Sequence, residues 1–482
     1  MSIKSAWAGL CAKLRPKKTA SLEESAVEKS KSIRHIPGLL KNLHFKKTIN
    51  DSNDGESEYD RRYWGPVKHI TKEALLKLAW SVIGSNTFDE SDLHVQEEVF
   101  EGSFHRVWII EGPDDLKVAI KVAAIGHEDR WMAEDAINLR SEALTMNYIN
   151  RNTKCPVPRV ISFDTTLKNA IGCPYIMMEY VEGIPVHDAW FIEQEGGLPL
   201  EEVRLNILTS LASAMAELRK LQFDKIGMLH FDNDADPVVG PLYAFCQPDD
   251  IDERPKDDGI ARKPVTLPVF ASTKDYYQAE IDDRECDPRD WRLTAAKKIS
   301  SLALACAPFT PEASLGEAPV RETFVLMHPD FNYQNIMITP DGKTITGIFD
   351  WDGVQTVPRC VGYAAVPIWL RRDWQLCYVW PGNEPYTHAP EDLQKYRKFY
   401  AEAMREAAGD ESDWKLTENS VMYCALHEGL YGHGEPGNFA EKILDEVIPR
   451  QDHERFFRRL ATGHWLAGEL ALQERLPYVL GY

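Results

Sequence analysis

The sequence predicts an α+β protein, with a small β-rich N-terminal lobe followed by a larger, mainly helical C-terminal lobe. Three short β-branched apolar segments follow one another between residues 94 and 122, and a Gly-Pro-Asp-Asp turn separates the last two. This pattern is typical of an antiparallel meander. Beyond Pro199 the apolar residues recur at helical spacing, for instance over 203–221. With 482 residues, 44% of them hydrophobic, the chain can fill two or three domains.

Each further element has its own local signal. The periodicity predicts helices over 71–82 and 133–150 and a strand over 174–181. The stretch 249–263 is rich in Asp, Pro and Lys, which predicts an exposed insertion. Residues 1–60 are basic and polar and are expected to be a disordered tail and linker. We therefore expect an N-lobe over 61–182, with an antiparallel sheet plus a helix, and a C-lobe over 183–482.

The charge is distributed unevenly along the chain. The net charge is −20, yet residues 1–50 hold eleven Lys or Arg against three Glu. The acidic body excludes a nucleic-acid-binding surface over the whole protein, and no apolar run approaches the ~20 residues of a membrane span. Scattered cysteines without a Cys-x-x-Cys pair indicate a reducing compartment. We expect a cytoplasmic protein, with a mitochondrial transit peptide as the alternative for the basic, acid-poor start.

The strongest chemical signal is the segment His328-Pro-Asp-Phe-Asn-Tyr-Gln-Asn335, followed by Asp350 after a predicted hairpin. The Asp-Gly turn at 341–342 between apolar segments is a strong hairpin signal, and the hairpin brings Asn335 and Asp350 together. A carboxylate and an amide can hold Mg²⁺ beside substrate phosphates. Asp330, five residues upstream of Asn335, can accept the proton of an attacking hydroxyl, as in the kinase template for phosphoryl transfer.

With these motifs the sequence resembles the aminoglycoside phosphotransferase family, within the protein-kinase-like superfamily. Val118-Ala-Ile-Lys121 matches the strand lysine of that superfamily. The resemblance implies a protein-kinase-like two-lobed fold and a lysine that orients the phosphates of ATP. Its expected partner is Glu142, on the apolar stripe of the 133–150 helix, with Glu134 or Asp135 as competing candidates.

The resemblance also implies where the nucleotide binds. Gly102 and Ser103 occupy the place of the loop that covers the phosphates, although the first and third glycines of the kinase pattern are replaced by Phe100 and His105. The segment 178–181 looks like the hinge between lobes, whose backbone would bind adenine through Glu179 and Val181.

The expected function is transfer of the γ-phosphate of ATP, with Mg²⁺, to a hydroxyl of a small molecule. The acidic body favours an amine-bearing acceptor, and segments such as 271–281 and 368–374 are expected to form its pocket. Two other hypotheses stay open: a nucleotide-binding scaffold with weak or lost catalysis, favoured by the reduced glycine loop, and an atypical protein kinase. Absence of an Ala-Pro-Glu segment after Asp350 argues against the latter.

Overall fold

The computed structural model describes residues 63–84, 88–232, 236–246, 263–283, 290–310, 321–375, 378–382, 387–410, 412–431, 436–448 and 452–481. The predicted tail at 1–60 and nearly all of the predicted insertion at 249–263 lie outside the described residues. No described helix is both long and apolar enough to cross a membrane.

The N-terminal part is a five-stranded antiparallel sheet with a helix on each side. The strand order is β1-β2-β3-β5-β4, so the predicted meander supplies three of the five strands. Thr71 caps the first helix by accepting a hydrogen bond from the backbone amide of Ala74. The elements of this part are α1 (Lys72–Ile83), β1 (His94–Glu101), β2 (His105–Glu111), β3 (Lys117–Ala123), α2 (Ala133–Asn152), β4 (Val160–Asp164) and β5 (Tyr175–Glu179).

Alternation along β3 separates the two faces of this sheet. Val118, Ile120 and Val122 are buried in an apolar cluster with α1. Ala119 joins the largest apolar cluster, which is continuous from this face of the sheet to Leu211 in the helical part. Lys121 therefore points away from α1 and toward the rest of the molecule.

The C-terminal part is mainly helical, as predicted, but it contains a second five-stranded sheet, of order β7-β12-β15-β8-β9. Its elements are β6 (Ile184–Pro185), α3 (Val186–Phe191), α4 (Leu200–Ala216), β7 (Gln222–Phe223), β8 (Gly227–His230), β9 (Val238–Gly240), β10 (Leu242–Cys246), β11 (Lys263–Leu267), α5 (Thr273–Asp283), α6 (Trp291–Leu304), β12 (Phe324–Met327), β13 (Ile336–Ile338), β14 (Ile345–Ile348), β15 (Gln355–Val357), α7 (Pro390–Ala408), α8 (Trp414–Thr417), α9 (Ser420–Tyr431), α10 (Pro436–Val447), α11 (His453–Ala461) and α12 (Leu466–Val479).

The last helices pack around a separate apolar cluster together with α5 and α6. His427 on α9 lies inside it with only 8% of the residue exposed, and its ring stacks on Tyr431 with centroids 5.6 Å apart. Burial, assisted by the Arg371 guanidinium, lowers the pKa of His427 to about 4. The ring is therefore neutral at pH 7.

This buried histidine predicts acid sensitivity. Its pKa is depressed from 6.5 to about 4 on folding, so the unfolded chain binds more protons and stability is lost as the pH falls between these values. From pH 7 to 5 we expect this ring to contribute a loss of about 1–2 kcal/mol. His427→Gln should give a flatter curve of melting temperature against pH, whereas replacing the exposed His464 should not. Parallel curves for His427→Gln and the unchanged chain would contradict the assignment.

Candidate active site

The site lies between the N-terminal sheet and the hairpin formed by β13 and β14. In the hairpin register Ile336 lies opposite Ile348, and the backbone amide of Phe349 donates to the carbonyl of Asn335 at 3.0 Å. Asn335 and Asp350 therefore stand side by side where the two strands end. Asp350 has φ +67°, a left-handed conformation that is costly for a non-glycine residue and is often found at functional sites.

Lys121 makes the central contact of the site. Its Nζ lies 2.7 Å from Oε1 of Glu142 and 2.7 Å from Oδ1 of Asp350, which is 229 residues away in the sequence. Lys121 and Glu142 are 8% and 4% exposed. Of the three carboxylates considered from the sequence, Glu142 is the one bonded to the lysine; Asp135 instead accepts a hydrogen bond from the backbone amide of Met132.

Burial and charge act in opposite directions on these three groups. Burial raises the pKa of Glu142 to about 7, although the nearby Lys121 ammonium lowers it. Burial alone would lower the pKa of Lys121, but Asp350 and Glu142 hold it above its usual value. Burial would likewise raise the pKa of Asp350, but Lys121 and His105 bring it below the usual range. Asp350 is thus ionised at neutral pH, as a metal ligand must be.

Asp330 is fixed by its neighbours in the same loop. Its Oδ2 accepts hydrogen bonds from Nδ2 of Asn335 at 2.9 Å and from Nε2 of Gln334 at 3.0 Å. The Asn335 amide nitrogen also donates to the Asp330 carbonyl. Burial and the Asp350 charge raise the pKa of Asp330. Gln334 was not singled out from the sequence, although its place inside the 328–335 motif was a signal.

His328 braces the same loop. Burial lowers the pKa of its ring to about 4, so the imidazole is neutral at pH 7. Its Nε2 is 3.0 Å from the carbonyl of Phe349, to which a neutral ring with a hydrogen on Nε2 donates. The ring also packs edge-on against Trp351 at 4.6 Å between centroids. The loop that carries Asp330 is thereby tied to the strand that leads to Asp350.

The predicted loop and hinge residues lie at the edges of this site. Gly102 and Ser103 form the turn between β1 and β2, and the Gly102 amide donates to the His105 carbonyl at 2.9 Å. An added Cβ at Gly102 would meet that oxygen only at 3.7 Å, so local packing does not require a glycine there.

At the predicted hinge, Val181 packs closely on Gly347 of the hairpin. A Cβ added at Gly347 would lie 2.5 Å from a Val181 methyl group. The backbone amide of Glu179 already donates to Arg159, which leaves the carbonyl of Glu179 as its group for a ligand.

A cavity of about 180 Å³ opens beside Lys121. Neither Gly102 nor Ser103 lines it, whereas the next two residues do. Its described lining includes Phe104, His105, Lys121, Glu142, Phe245 and Asp352. His105 could have been recognised from the sequence as a residue of this site. Side chains alternate along β2, which places His105 on the same face as Val107. Phe245 comes from β10, a strand that was not predicted from the sequence.

The two segments predicted to form the acceptor pocket both contact helix α9. Residues Ile368–Trp374 form a short 3₁₀ helix beside the Asp330 loop, since the Ile368 amide donates to the carbonyl of Phe331 at 2.9 Å. Arg371 in that helix pairs with Glu428 of α9 at 2.8 Å. In α5, the hydroxyl of Tyr277 lies 3.3 Å from Nδ1 of His427 on α9.

One stretch of the chain matches a known protein family. Residues 133–364 match the model of the phosphotransferase enzyme family, APH. The predicted family resemblance is confirmed. This APH segment contains Glu142, Asp330, Asn335 and Asp350, whereas Lys121 and the β1–β2 turn precede it.

Two fungal proteins are similar to parts of the chain. A subtelomeric hrmA-associated cluster protein of Aspergillus fumigatus is 24% identical over 319 residues, which are 55% of this chain and 59% of that protein. A protein of Meyerozyma guilliermondii named altered inheritance of mitochondria protein 9, mitochondrial, is 25% identical over 173 residues, 35% of this chain and 27% of that one. The chain thus spans about 59% and 27% of the length of these relatives.

Among solved structures, aminoglycoside phosphotransferase APH(4)-Ia aligns with a TM-score of 0.39 and 14% identity, covering 83% of this chain and 98% of that one. Macrolide 2'-phosphotransferase MphH from Brachybacterium faecium aligns with a TM-score of 0.38 and 14% identity, covering 81% and 98%.

Proposed function

We propose that the chain is an ATP- and Mg²⁺-dependent phosphotransferase that transfers the γ-phosphate to a hydroxyl of a small molecule. The observation that carries this proposal is the position of Lys121, with its ammonium 2.7 Å from both Glu142 and Asp350. The APH family match to residues 133–364 supports the same class of chemistry. A chain that only bound partners would not need these groups together with a carboxylate held like Asp330.

In this proposal each side chain has one task. Asp330 accepts the proton of the acceptor hydroxyl through Oδ1, because Oδ2 is already held by Asn335 and Gln334. The acceptor oxygen forms a bond to the γ-phosphorus while the bond to the leaving oxygen of ADP breaks. Lys121, steadied by Glu142, orients the α- and β-phosphates, and the backbone of Glu179 and Val181 binds the adenine edge. Gly102 and Ser103 cover the phosphates.

Asn335 and Asp350 fit a magnesium site that the substrate helps to complete. Both hydrogen bonds that Asn335 makes through its side chain within the described part of the chain use the amide nitrogen, so its Oδ1 is the atom to offer a metal. Asp350 has Oδ2 in addition to the oxygen that faces Lys121. The described residues contain no group of three or more His, Cys, Asp or Glu able to hold a metal. Mg²⁺ bound by few protein ligands and by phosphates would neutralise charge on the transferred group.

For the acceptor we propose a small alcohol, with amine-bearing compounds as the first candidates because the chain has a net charge of −20. The 3₁₀ helix at 368–374 supports a pocket beside Asp330, since its first amide is bonded to the Asp330 loop. For location we propose the cytoplasm. The mitochondrion is the alternative, favoured by the basic start of the sequence and by the name of the Meyerozyma relative.

A thermal-shift titration tests the nucleotide and metal site. ATP with Mg²⁺ should raise the melting temperature, by the equivalent of about 2.7 kcal/mol at a hundredfold excess over the dissociation constant. Asp350→Ala should abolish the part of the shift that depends on Mg²⁺. Asp341→Ala, at the exposed tip of the same hairpin, is the matched control and should keep it.

A shift in the unchanged chain would justify screening amino alcohols, sugars and aminoglycosides for release of ADP. No shift at millimolar ATP, or a shift indifferent to Mg²⁺, would contradict the proposed enzyme and favour the scaffold.

A further inference from the structure

His105 stands where phosphate-covering loops of the kinase pattern carry their third glycine. In the ladder between β2 and β3, His105 lies opposite Ala123 and Val107 lies opposite Lys121. Residues directly opposite each other and residues two apart share one face of a sheet. The His105 side chain is therefore on the same face as the Lys121 ammonium, which is the face turned toward Asp350.

The ring is held in the cleft. Its side chain is 19% exposed and lines the cavity of about 180 Å³ together with Lys121, Glu142 and Asp352. Backbone hydrogen bonds fix the turn on both sides of it, from Gly102 to the His105 carbonyl at 2.9 Å and from Ala124 to the Phe104 carbonyl at 2.8 Å. The backbone of the strand, and not a contact of the ring, therefore sets the direction of the His105 side chain.

The contact that the ring makes is loose. Its Nε2 lies 3.7 Å from Oδ2 of Asp352, which is longer than a hydrogen bond. The nitrogen therefore faces an anionic oxygen without bonding to it. A phosphate oxygen in the cavity has room to approach this nitrogen to hydrogen-bond distance.

We propose that His105 donates a hydrogen bond from its ring to the γ-phosphate of bound ATP. This rests on the proposed function, because it assigns a further residue to the same nucleotide site. A glycine at this position lets the loop backbone approach a phosphate, whereas the Cβ of His105 keeps the backbone farther away and the ring nitrogen spans the gap. His105 then supplies through a side chain what the reduced glycine loop does not supply through backbone amides.

The test compares ATP with ADP, so that no acceptor has to be known. Dissociation constants of both nucleotides with Mg²⁺ are measured by calorimetry for the unchanged full chain, His105→Ala and His105→Gln. His105→Ala should weaken ATP about tenfold or more and ADP less than about twofold. His105→Gln retains a donor and should recover part of the ATP affinity. His94→Ala, at the exposed start of β1, is the control and should alter neither constant.

Two results would overturn the proposal while leaving the nucleotide site intact. Equal losses for ATP and ADP in His105→Ala would show that the ring supports the loop or an inner phosphate, and unchanged ATP affinity would show that it does not touch the nucleotide. Failure of the unchanged chain to bind either nucleotide would overturn the proposed function itself, and with it this inference.

Discussion

Asp330→Ala is expected to lower phosphate transfer at least about 100-fold, since general-base catalysis of this kind contributes about 10²–10⁴ in rate. ATP binding should survive, because Lys121, Asn335 and Asp350 remain. Asn335 also keeps its hydrogen bond to the Asp330 backbone carbonyl at 2.9 Å, so this proposed metal ligand should stay in place. The measurement is release of ADP with the best acceptor of the screen, beside a thermal-shift titration of ATP with Mg²⁺.

The control for this substitution is again Asp341→Ala, which removes an exposed carboxylate from the same hairpin. It should transfer phosphate at the rate of the unchanged chain. If Asp330→Ala transferred phosphate at an undiminished rate, the assignment of the base would be wrong and another group would have to take the proton. If the variant lost ATP binding as well, Asp330 would be a structural residue of the metal site.

Lys121→Met is expected to destabilise the fold by about 3–5 kcal/mol, which is the usual cost of breaking a buried ion pair by removing one partner. The Glu142 carboxylate, 4% exposed, would be left without its cation, and Asp350 would lose the same contact. Methionine fills nearly the same volume, so the loss is electrostatic. The measurement is the midpoint of denaturant unfolding for this variant and for the double variant Lys121→Met, Glu142→Gln.

The double variant should be more stable than Lys121→Met alone, because it no longer buries an unpaired charge. The loss in Lys121→Met should also depend on pH. Burial raises the pKa of Glu142 above that of the unfolded chain, so the folded state binds more protons and stability falls as the pH rises through neutrality. A double variant less stable than the single one, or an equal loss at pH 5 and pH 8, would show that the pair does not decide stability.

The parts of the site that could be predicted from sequence are those encoded in contiguous motifs. Asp330, Asn335 and Asp350 are joined by one hairpin, whose Asp-Gly turn specifies its own register. The choice of Glu142 followed from its place on the apolar stripe of α2, which the structure buries. The contact from Lys121 to Asp350 spans 229 residues and was not predicted; the resemblance to a family placed both residues only at the same nucleotide site.

The parts that could not be predicted depend on tertiary contacts. The second sheet was not predicted as a whole. Its strands are two to four residues long, too short to show a period, and most of them pair with distant segments. Strand β4 was not predicted either; it follows Pro156 and Pro158, which are typical of the segment after a helix end. Helix α4 was expected over 203–221, but it begins at Leu200 and ends at Ala216, where a 3₁₀ turn (Glu217–Lys220) replaces its last turn. Periodicity alone does not distinguish these two helix types.

The helix α2 is attached at both ends, but to different parts of the molecule. Near its start, Asn138 donates to the carbonyl of Tyr243 in β10, and Ser141 donates to the carbonyl of Leu229 in β8. Near its end, Asn147 exchanges hydrogen bonds with the backbone of Val160 in β4. A swing of the first sheet away from the rest must therefore pivot close to Asn147. The distance between Nζ of Lys121 and Oε1 of Glu142 would then measure how far the first sheet has moved away from the rest of the molecule.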